Sequence, residues 1–433
     1  MVKLGMKCLV FGEEINCFMK EVIKKENFIF LYSKYKNFLI RRILDTYILL
    51  NRKKITGKKL EEVLEFCSKK IMSYSNKGSN LLNYEIIDKR SLNERFDDFC
   101  SKFHPVKNIA YTAGTTGTPR SIFRSIESIA AEQYYQNKYF NWNSMYKVVL
   151  RGEKIYRNKH NSNIIYREIP FIKEMYISSY HINDKALEII VNKLNKIESK
   201  CLWTYPSLAY IFADYCLRKN KKLHFDLVAT SSEILFEYQI NTIKKAFNCE
   251  VKDWYGQAER VAAFYRCQCG NYHEVEGYSH VEYLKKENNL YEIVGTTLHN
   301  TIMPLVRYNT NDLVEISEEK CACGNKGRNI SCIYGRVGDY IEIDGKKLTA
   351  TGLYCALFKN APNIVEAQLY QTREKSVTIR IVKNEKFDEH DEKKVLNTIG
   401  LYLPSNHYNI EYVNKIERSG NNKYSYVIRR NSV

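Results

Sequence analysis

The sequence predicts an α/β protein, with a large first part around a mixed, substantially parallel sheet and a small α+β unit at the end. Two patterns predict this. Between about residues 101 and 335, the strand-like runs KVVL, CLWTYP, HFDLVAT and CEVKDWYG alternate with the helix-like stretches SIESIAAEQYYQNKYF, KALEIIVNKLNKIE and PSLAYIFADYCLRK. Such alternation is what parallel strands joined by crossover helices require. From 339 onward the order changes to β-α-β-β-α-β. The length of 433 residues is also more than one ordinary core organises.

Taken in order, residues 1–100 space their apolar positions three and four apart between lysines and glutamates. FIFLYSKYKNFLIRRILDTYILLNRK and GKKLEEVLEFCSKKIMSYS therefore read as amphipathic helices, a helical region packed on the large domain. Residues 101–335 form the α/β core. In residues 339–433 a strand at YIEID precedes a helix at TGLYCALFK. The strands IVEAQLYQ and SVTIRIVK, the helix DEKKVLNTIGLYL and a last strand at YNIEYVN follow. GRVGD at 335–339 is the expected hinge, because glycines at an element boundary absorb backbone rotation cheaply.

Composition narrows the function classes. Hydrophobic residues at 44% and aromatics at 13% belong to a globular chain. The net charge of +18 comes from 67 Lys and Arg against 49 Asp and Glu. The basic residues are scattered rather than striped, which argues against nucleic acid and suits a small acidic ligand as well. The first twenty residues place acids where a secretory signal needs an apolar core, and no apolar run reaches membrane-spanning length. Thirteen cysteines, an odd number without an export signal, point to a reducing cytoplasm, with thiols free or on a metal. Nothing in the sequence sets an oligomeric state.

YTAGTTGTPR at 111–120 concentrates two of the chain's 19 glycines among threonines. Alone it is either a tight turn or a phosphate loop in which glycines admit backbone N–H groups to an anion. It lacks the Lys-Ser/Thr ending of a Walker A loop. Five further segments follow: TSSEIL at 230–235, DWYGQAER at 253–260, MPLVRYNTNDLV at 303–314, GRVGDYI at 335–341 and ERSGNNKYSYVI at 417–428. In this order and with these gaps, the six resemble the adenylate-forming (acyl-AMP) ligase superfamily. The match is to its phenylacetate–CoA ligase-like branch, which includes capsule-biosynthesis proteins, and it covers about residues 100–430.

The resemblance implies an ATP-dependent, AMP-forming ligase. A carboxylic acid would be activated as acyl-adenylate and passed to CoA or a carrier-protein phosphopantetheine thiol; an amine or hydroxyl acceptor stays open. It implies that Thr115, Thr116, Gly117 and Thr118 hold the β- and γ-phosphates, with Arg120 near the loop's end. Tyr255 would stack on adenine, Gly256 would lie along the nucleotide, and Glu259 would hold Mg²⁺. Asp312 would accept the ribose hydroxyls, which suits an acceptor-only carboxylate. Asn311 stands where the family has glycine and retains access to left-handed geometry. Arg336 would contact ribose or phosphate, and Ser232 and Glu233 would line the nucleotide or acyl pocket. Lys423 would bridge the carboxylate and the α-phosphate, although Asn421 and Asn422 separate it from Ser419-Gly420. The small C-terminal domain would be mobile about the hinge, where Gly338 replaces an acid. The acyl pocket would involve Trp203, Tyr205, Ser207 and the surroundings of Trp254. Two rivals remain on the same scaffold, an adenylyltransferase and a non-catalytic binding protein.

CQCGNYH at 267–273 and CACG at 321–324 form a second cluster. Two short chelating pairs of Cys or His brought together make a closed structural zinc site. Cys267, Cys269, His273, Cys321 and Cys323 are five candidates for four positions, with Cys269 and His273 as alternatives. Cys332 is a weaker candidate.

Overall fold

The computed structural model describes residues 46–102, 108–112, 120–152, 155, 164–286, 289–336, 340–343, 346–349, 353–354, 357–358, 360–361, 363–373, 376–403, 405–418 and 424–429. The body of the molecule is one twelve-stranded sheet. Its middle is a parallel run, β5 (Glu174–Ser178), β3 (Tyr146–Arg151), β6 (Lys200–Thr204), β7 (Leu227–Ser231) and β8 (Glu250–Gly256), in that spatial order, the last four being predicted strands. β4 (Tyr166–Ile169) closes one end antiparallel to β5. At the other end six antiparallel strands extend the sheet, making it mixed: β9 (Ala263–Arg266), β10 (Tyr272–Glu274), β14 (Asn329–Arg336), β13 (Tyr308–Ser317), β12 (Leu290–Thr297) and β11 (Ser279–Lys285).

The described helices start where local chemistry allows. α1 (Leu60–Lys70) has acids in its first turn and lysines in its last, complementing the helix dipole. The short α2 (Lys89–Glu94) is capped by Asp88, and α3 (Ile126–Phe140) by Ser125, whose hydroxyl accepts the Ser128 N–H. α4 (Asp184–Leu194) buries Ala186, Leu187, Ile190, Val191 and Leu194, one face of an amphipathic helix. α5 (Pro206–Arg218) opens on a proline, tolerated because the first N–H of a helix has no internal partner. With α6 (Glu237–Phe247) it packs Phe212, Phe225 and Phe247 edge to face over the sheet.

The last unit has its own four-stranded sheet, ordered β19 (Tyr408–Tyr412), β18 (Ser376–Lys383), β17 (Ile364–Arg373) and β20 (Val427–Arg429), with α7 (Glu389–Gly400). One expectation changes here. YIEID, as β15 (Tyr340–Ile343), pairs with β16 (Lys346–Thr349) in a separate hairpin, and β20 beyond the predicted last strand takes the outer place beside β17. Parallel pairing needs a strand returning from afar, and the alternation in the sequence does not say which segment returns. Expected helical positions in the first 45 residues and the hinge residues 337–339 lie outside the described residues. Among those described, no helix is long and apolar enough to cross a membrane.

Candidate active site and metal centre

The carboxyl ends of β3, β6, β7 and β8 open on one edge of the sheet, the edge where open α/β sheets receive ligands. Arg151 ends β3, Tyr205 follows β6, Ser231 ends β7 with Ser232 and Glu233 after it, and Gly256 ends β8 with Gln257 and Glu259 beyond. The hairpin of β1 (Asn108–Thr112) and β2 (Arg120–Arg124) approaches the same region, its strands pairing Thr112 with Arg120 across the loop. Arg124 fastens it there: two guanidinium nitrogens donate to the Ala258 carbonyl at 3.0 and 2.7 Å. Thr115, Thr116, Gly117 and Thr118 lie outside the described residues, as does Lys423. The Arg120 and Arg336 side chains are likewise outside, although the Arg336 backbone pairs with Asp312.

The residues expected to hold the nucleoside converge. The Tyr255 hydroxyl donates to Asp312 Oδ2 at 2.6 Å, and its ring stacks on Phe264 with centroids 5.1 Å apart. Burial, then the Asp312 charge, pushes the Tyr255 phenol well above its ordinary range, so it stays a neutral donor. Asn311 has φ 58°, the left-handed geometry expected of it, and its N–H is held by Asn309 Oδ1 at 2.8 Å. The Tyr308 hydroxyl lies 3.4 Å from Glu259 Oε1. Arg124 also feels the Glu259 charge, although burial, followed by Arg260, lowers its guanidinium to about 10. One close approach fixes the Glu259 turn: a Cβ at Gly295 would fall 2.0 Å from the Val261 carbonyl oxygen. Gly295 therefore lets residues 257–261 lie flat on β12.

Whether a nucleotide suits this edge can be tested on an orphan. Among the described residues, both polar atoms of the Gln257 amide are buried with no hydrogen-bond partner. A donor and acceptor left together two residues after Tyr255 in the chain fit a ligand that offers the complementary pair. Asp253, deeper on β8, serves the scaffold instead. It accepts from Thr230 at 2.5 Å and Tyr272 at 2.8 Å, and burial raises its carboxyl to about 6.

The expected acyl wall divides. Trp203 and Tyr205 do stand at the edge, and between them is a residue that sequence reasoning misses. The Arg151 guanidinium lies 4.4 Å from the Trp203 ring centre and 4.7 Å from that of Tyr205, and donates to Ser231 and Ser232 at 2.8 Å each. An arginine after KVVL carries no motif, and only the strand register brings it here. Ser232 has φ 74°, a strained geometry for serine and of the kind that gathers at functional sites. Trp254, by contrast, is 2% exposed and packs among Tyr139, Phe140 and Tyr278, so it is core. Ser207 and Glu233 are engaged elsewhere, as described below.

The metal-type cluster is resolved to four residues. Cys267, His273, Cys321 and Cys323 bring one ligand atom each within 4.8 Å of the others, while Cys269 is exposed and outside the group. Cys267 Sγ and Cys321 Sγ are 3.7 Å apart, and Cys323 Sγ is 3.2 Å from His273 Nε2. A tetrahedral zinc with Zn–S bonds near 2.3 Å has S···S edges of about 3.8 Å, so the cluster fits the ion. His273 Nδ1 faces the Arg328 carbonyl at 3.1 Å, an arrangement that leaves Nε2 as the ligand lone pair. Burial works against ionising Cys321, but the Cys323 N–H and the Asn271, Cys323 and His273 side chains outweigh it and bring the thiol to about 6.

Comparison with known proteins supports the assignment of fold. Residues 341–430 match the CapK C-terminal domain family. Protein CapK of Staphylococcus aureus is 25% identical over 327 residues, spanning 73% of each chain. Two structures of a 2-hydroxyisobutyryl-CoA ligase in the postadenylation state share the architecture. The complex with R3-HIB-AMP has a TM-score of 0.63 at 17% identity, covering 87% of this chain and 89% of that one. The complex with 2-HIB-AMP has a TM-score of 0.59 at the same identity and coverage. The chain thus has the fold of the adenylate-forming ligases, and its C-terminal unit matches the CapK C-terminal domain.

Proposed function

We propose, for a chain of this fold, that it is an ATP-dependent, AMP-forming ligase that activates a carboxylic acid as its acyl-adenylate and passes the acyl group to a thiol. The observation that carries the reading is the meeting of Tyr255, Glu259 and Asp312 beside the loop-bearing hairpin. A reaction of this kind asks the protein mainly for positioning and charge neutralisation. Asp312 would accept from the ribose, Thr115, Thr116 and Thr118 would donate to phosphates, and Glu259 supplies the oxygen ligand that Mg²⁺ takes beside substrate phosphates. Lys423 would bridge carboxylate and α-phosphate. Arg151 between two aromatic rings suits an acid that offers π surface or a hydrogen-bonding group near its carboxylate. The zinc site would be structural, with all four positions filled by protein. CoA or a carrier-bound phosphopantetheine is the acceptor expected.

The test is ATP–pyrophosphate exchange with zinc-replete protein across a panel of carboxylic acids. Exchange with one acid, lost in Lys423→Ala and kept in the exposed control Lys393→Ala, is expected. Exchange with none of them, or equal loss in both variants, would overturn the reading.

A further inference from the structure

Beyond Ser232, the chain delivers Glu233 to the seam between the sheet and the C-terminal unit. Its two carboxylate oxygens serve different sides of that seam. One accepts the Ser207 N–H at 3.1 Å, in the first turn of α5. The other accepts the backbone N–H of Tyr424 at 2.7 Å. The Ser207 hydroxyl in turn accepts from Arg418 at 2.8 Å, and a second nitrogen of Arg418 pairs with Glu366 on β17. Arg418 and Glu366 are each only 11% exposed, and burial raises the Glu366 carboxyl, with Arg418 opposing the rise and the nearby Glu233 charge adding to it. One guanidinium thus stands among two carboxylates and a hydroxyl contributed by both units. The Tyr424 ring is held as well: its hydroxyl donates to the Ala367 carbonyl and lies 3.3 Å from that of Tyr354, and Arg418 sits 5.2 Å from its centre.

A carboxylate whose two oxygens both accept backbone N–H groups is committed to joining those backbones. Charge-assisted bonds of this kind are about twice as strong as neutral ones, and removing one member of a buried set leaves its partners unsatisfied. We propose that Glu233 is a positioning residue that seats the C-terminal unit on the core for the first half-reaction, with Ser207 and Arg418 completing the latch. The inference rests on the reading that Lys423 serves adenylation. The fixed point is the amide of Tyr424, the residue that follows Lys423 in the sequence. The latch acts on kcat for adenylate formation and not on affinity for ATP. It is dispensable once the acyl-adenylate has formed and the unit has turned away.

Two measurements on the full-length protein decide it. Hydrogen–deuterium exchange without ligand reads the latch directly and needs no substrate. In Glu233→Ala the peptide covering 424–429 exchanges about tenfold faster, Glu233→Gln falls between the variant and the parent, and the peptide covering 267–274 is unchanged. Arg418→Lys, which keeps the charge but loses the fork, shifts the 424–429 peptide in the same direction. In pyrophosphate exchange with the acid found active, Glu233→Ala lowers kcat about tenfold or more and leaves the KM for ATP within about twofold. Transfer of the acyl group from preformed acyl-adenylate to the thiol proceeds at the parental rate. Unchanged protection of 424–429 in Glu233→Ala overturns the proposal. So does a raised KM for ATP at constant kcat, which would return Glu233 to the nucleotide pocket. If no acid supports exchange, the function reading fails while the deuterium measurement still decides the latch.

Discussion

Asp312 illustrates how far one side chain can be read from sequence alone. A carboxylate after Tyr-Asn-Thr-Asn is recognisable by resemblance, and Asn311 in place of glycine is legible because asparagine tolerates the positive φ it adopts here. The partner of Asp312 is not legible. Tyr255 lies 57 positions away in sequence and meets it at 2.6 Å only because β8 and β13 share a sheet. The same limit hides Arg151, whose neighbours come from β6 and β7. A charge-assisted hydrogen bond contributes roughly 1.5–3 kcal/mol. Asp312→Asn is therefore expected to weaken Mg-ATP binding by about ten- to a hundredfold in isothermal calorimetry, while circular dichroism and melting temperature stay near the parent's. Unchanged affinity would remove Asp312 from the nucleotide site.

The zinc-type clamp belongs to the scale of elements. Cys267 and His273 flank the β9–β10 connection, and Cys321 and Cys323 lie before β14, so one ion would tie together strands that are neighbours in the sheet. The two chelating pairs were legible in the sequence, because thiols that close beside glycine have few other uses. The choice between Cys269 and His273 was not, because it depends on which way a tight turn points. Gly270 takes that turn with φ 90°, leaving Cys269 exposed while His273 turns inward to the Arg328 carbonyl. Structural zinc contributes folding energy outright. Cys321→Ser is expected to reduce bound zinc, measured by plasma mass spectrometry, well below one per chain and to lower the melting temperature by several degrees. Cys269→Ser should keep both at the parental level. Equal zinc in the two variants would contradict the four-residue assignment.

At the scale of the whole molecule the question is how a unit expected to move is held while docked. The sequence predicts two units but says nothing of their seam, because aromatic residues there read as ordinary core. The seam is largely aromatic. Phe236 and Tyr238, from the large unit, meet Tyr354, Phe358 and Tyr426 of the small one. Tyr238 and Phe358 stack with centroids 4.2 Å apart at 7°, and Phe236 lies 4.9 Å from Tyr354. Tyr210 donates across it to the Ile364 carbonyl at 3.2 Å, and Arg218 and Lys219 pair with Glu385 at its rim. The exposed rim pairs add little, so the aromatic layer and the Glu233 latch carry the docking. The small unit also has an apolar core of its own, with Leu369, Val377, Ile379, Val395 and Ile399 fully buried. A unit with its own core, coupled through a removable layer, should melt with the rest only while the layer is intact. Truncating a buried phenylalanine costs roughly 3–5 kcal/mol, and here that loss falls on the coupling. Phe236→Ala is therefore expected to split one calorimetric unfolding transition into two, with the smaller, lower-temperature transition belonging to the C-terminal unit. A single transition shifted as a whole would mean that the two units form one cooperative body. Rotation between half-reactions would then need a cause other than a separable seam.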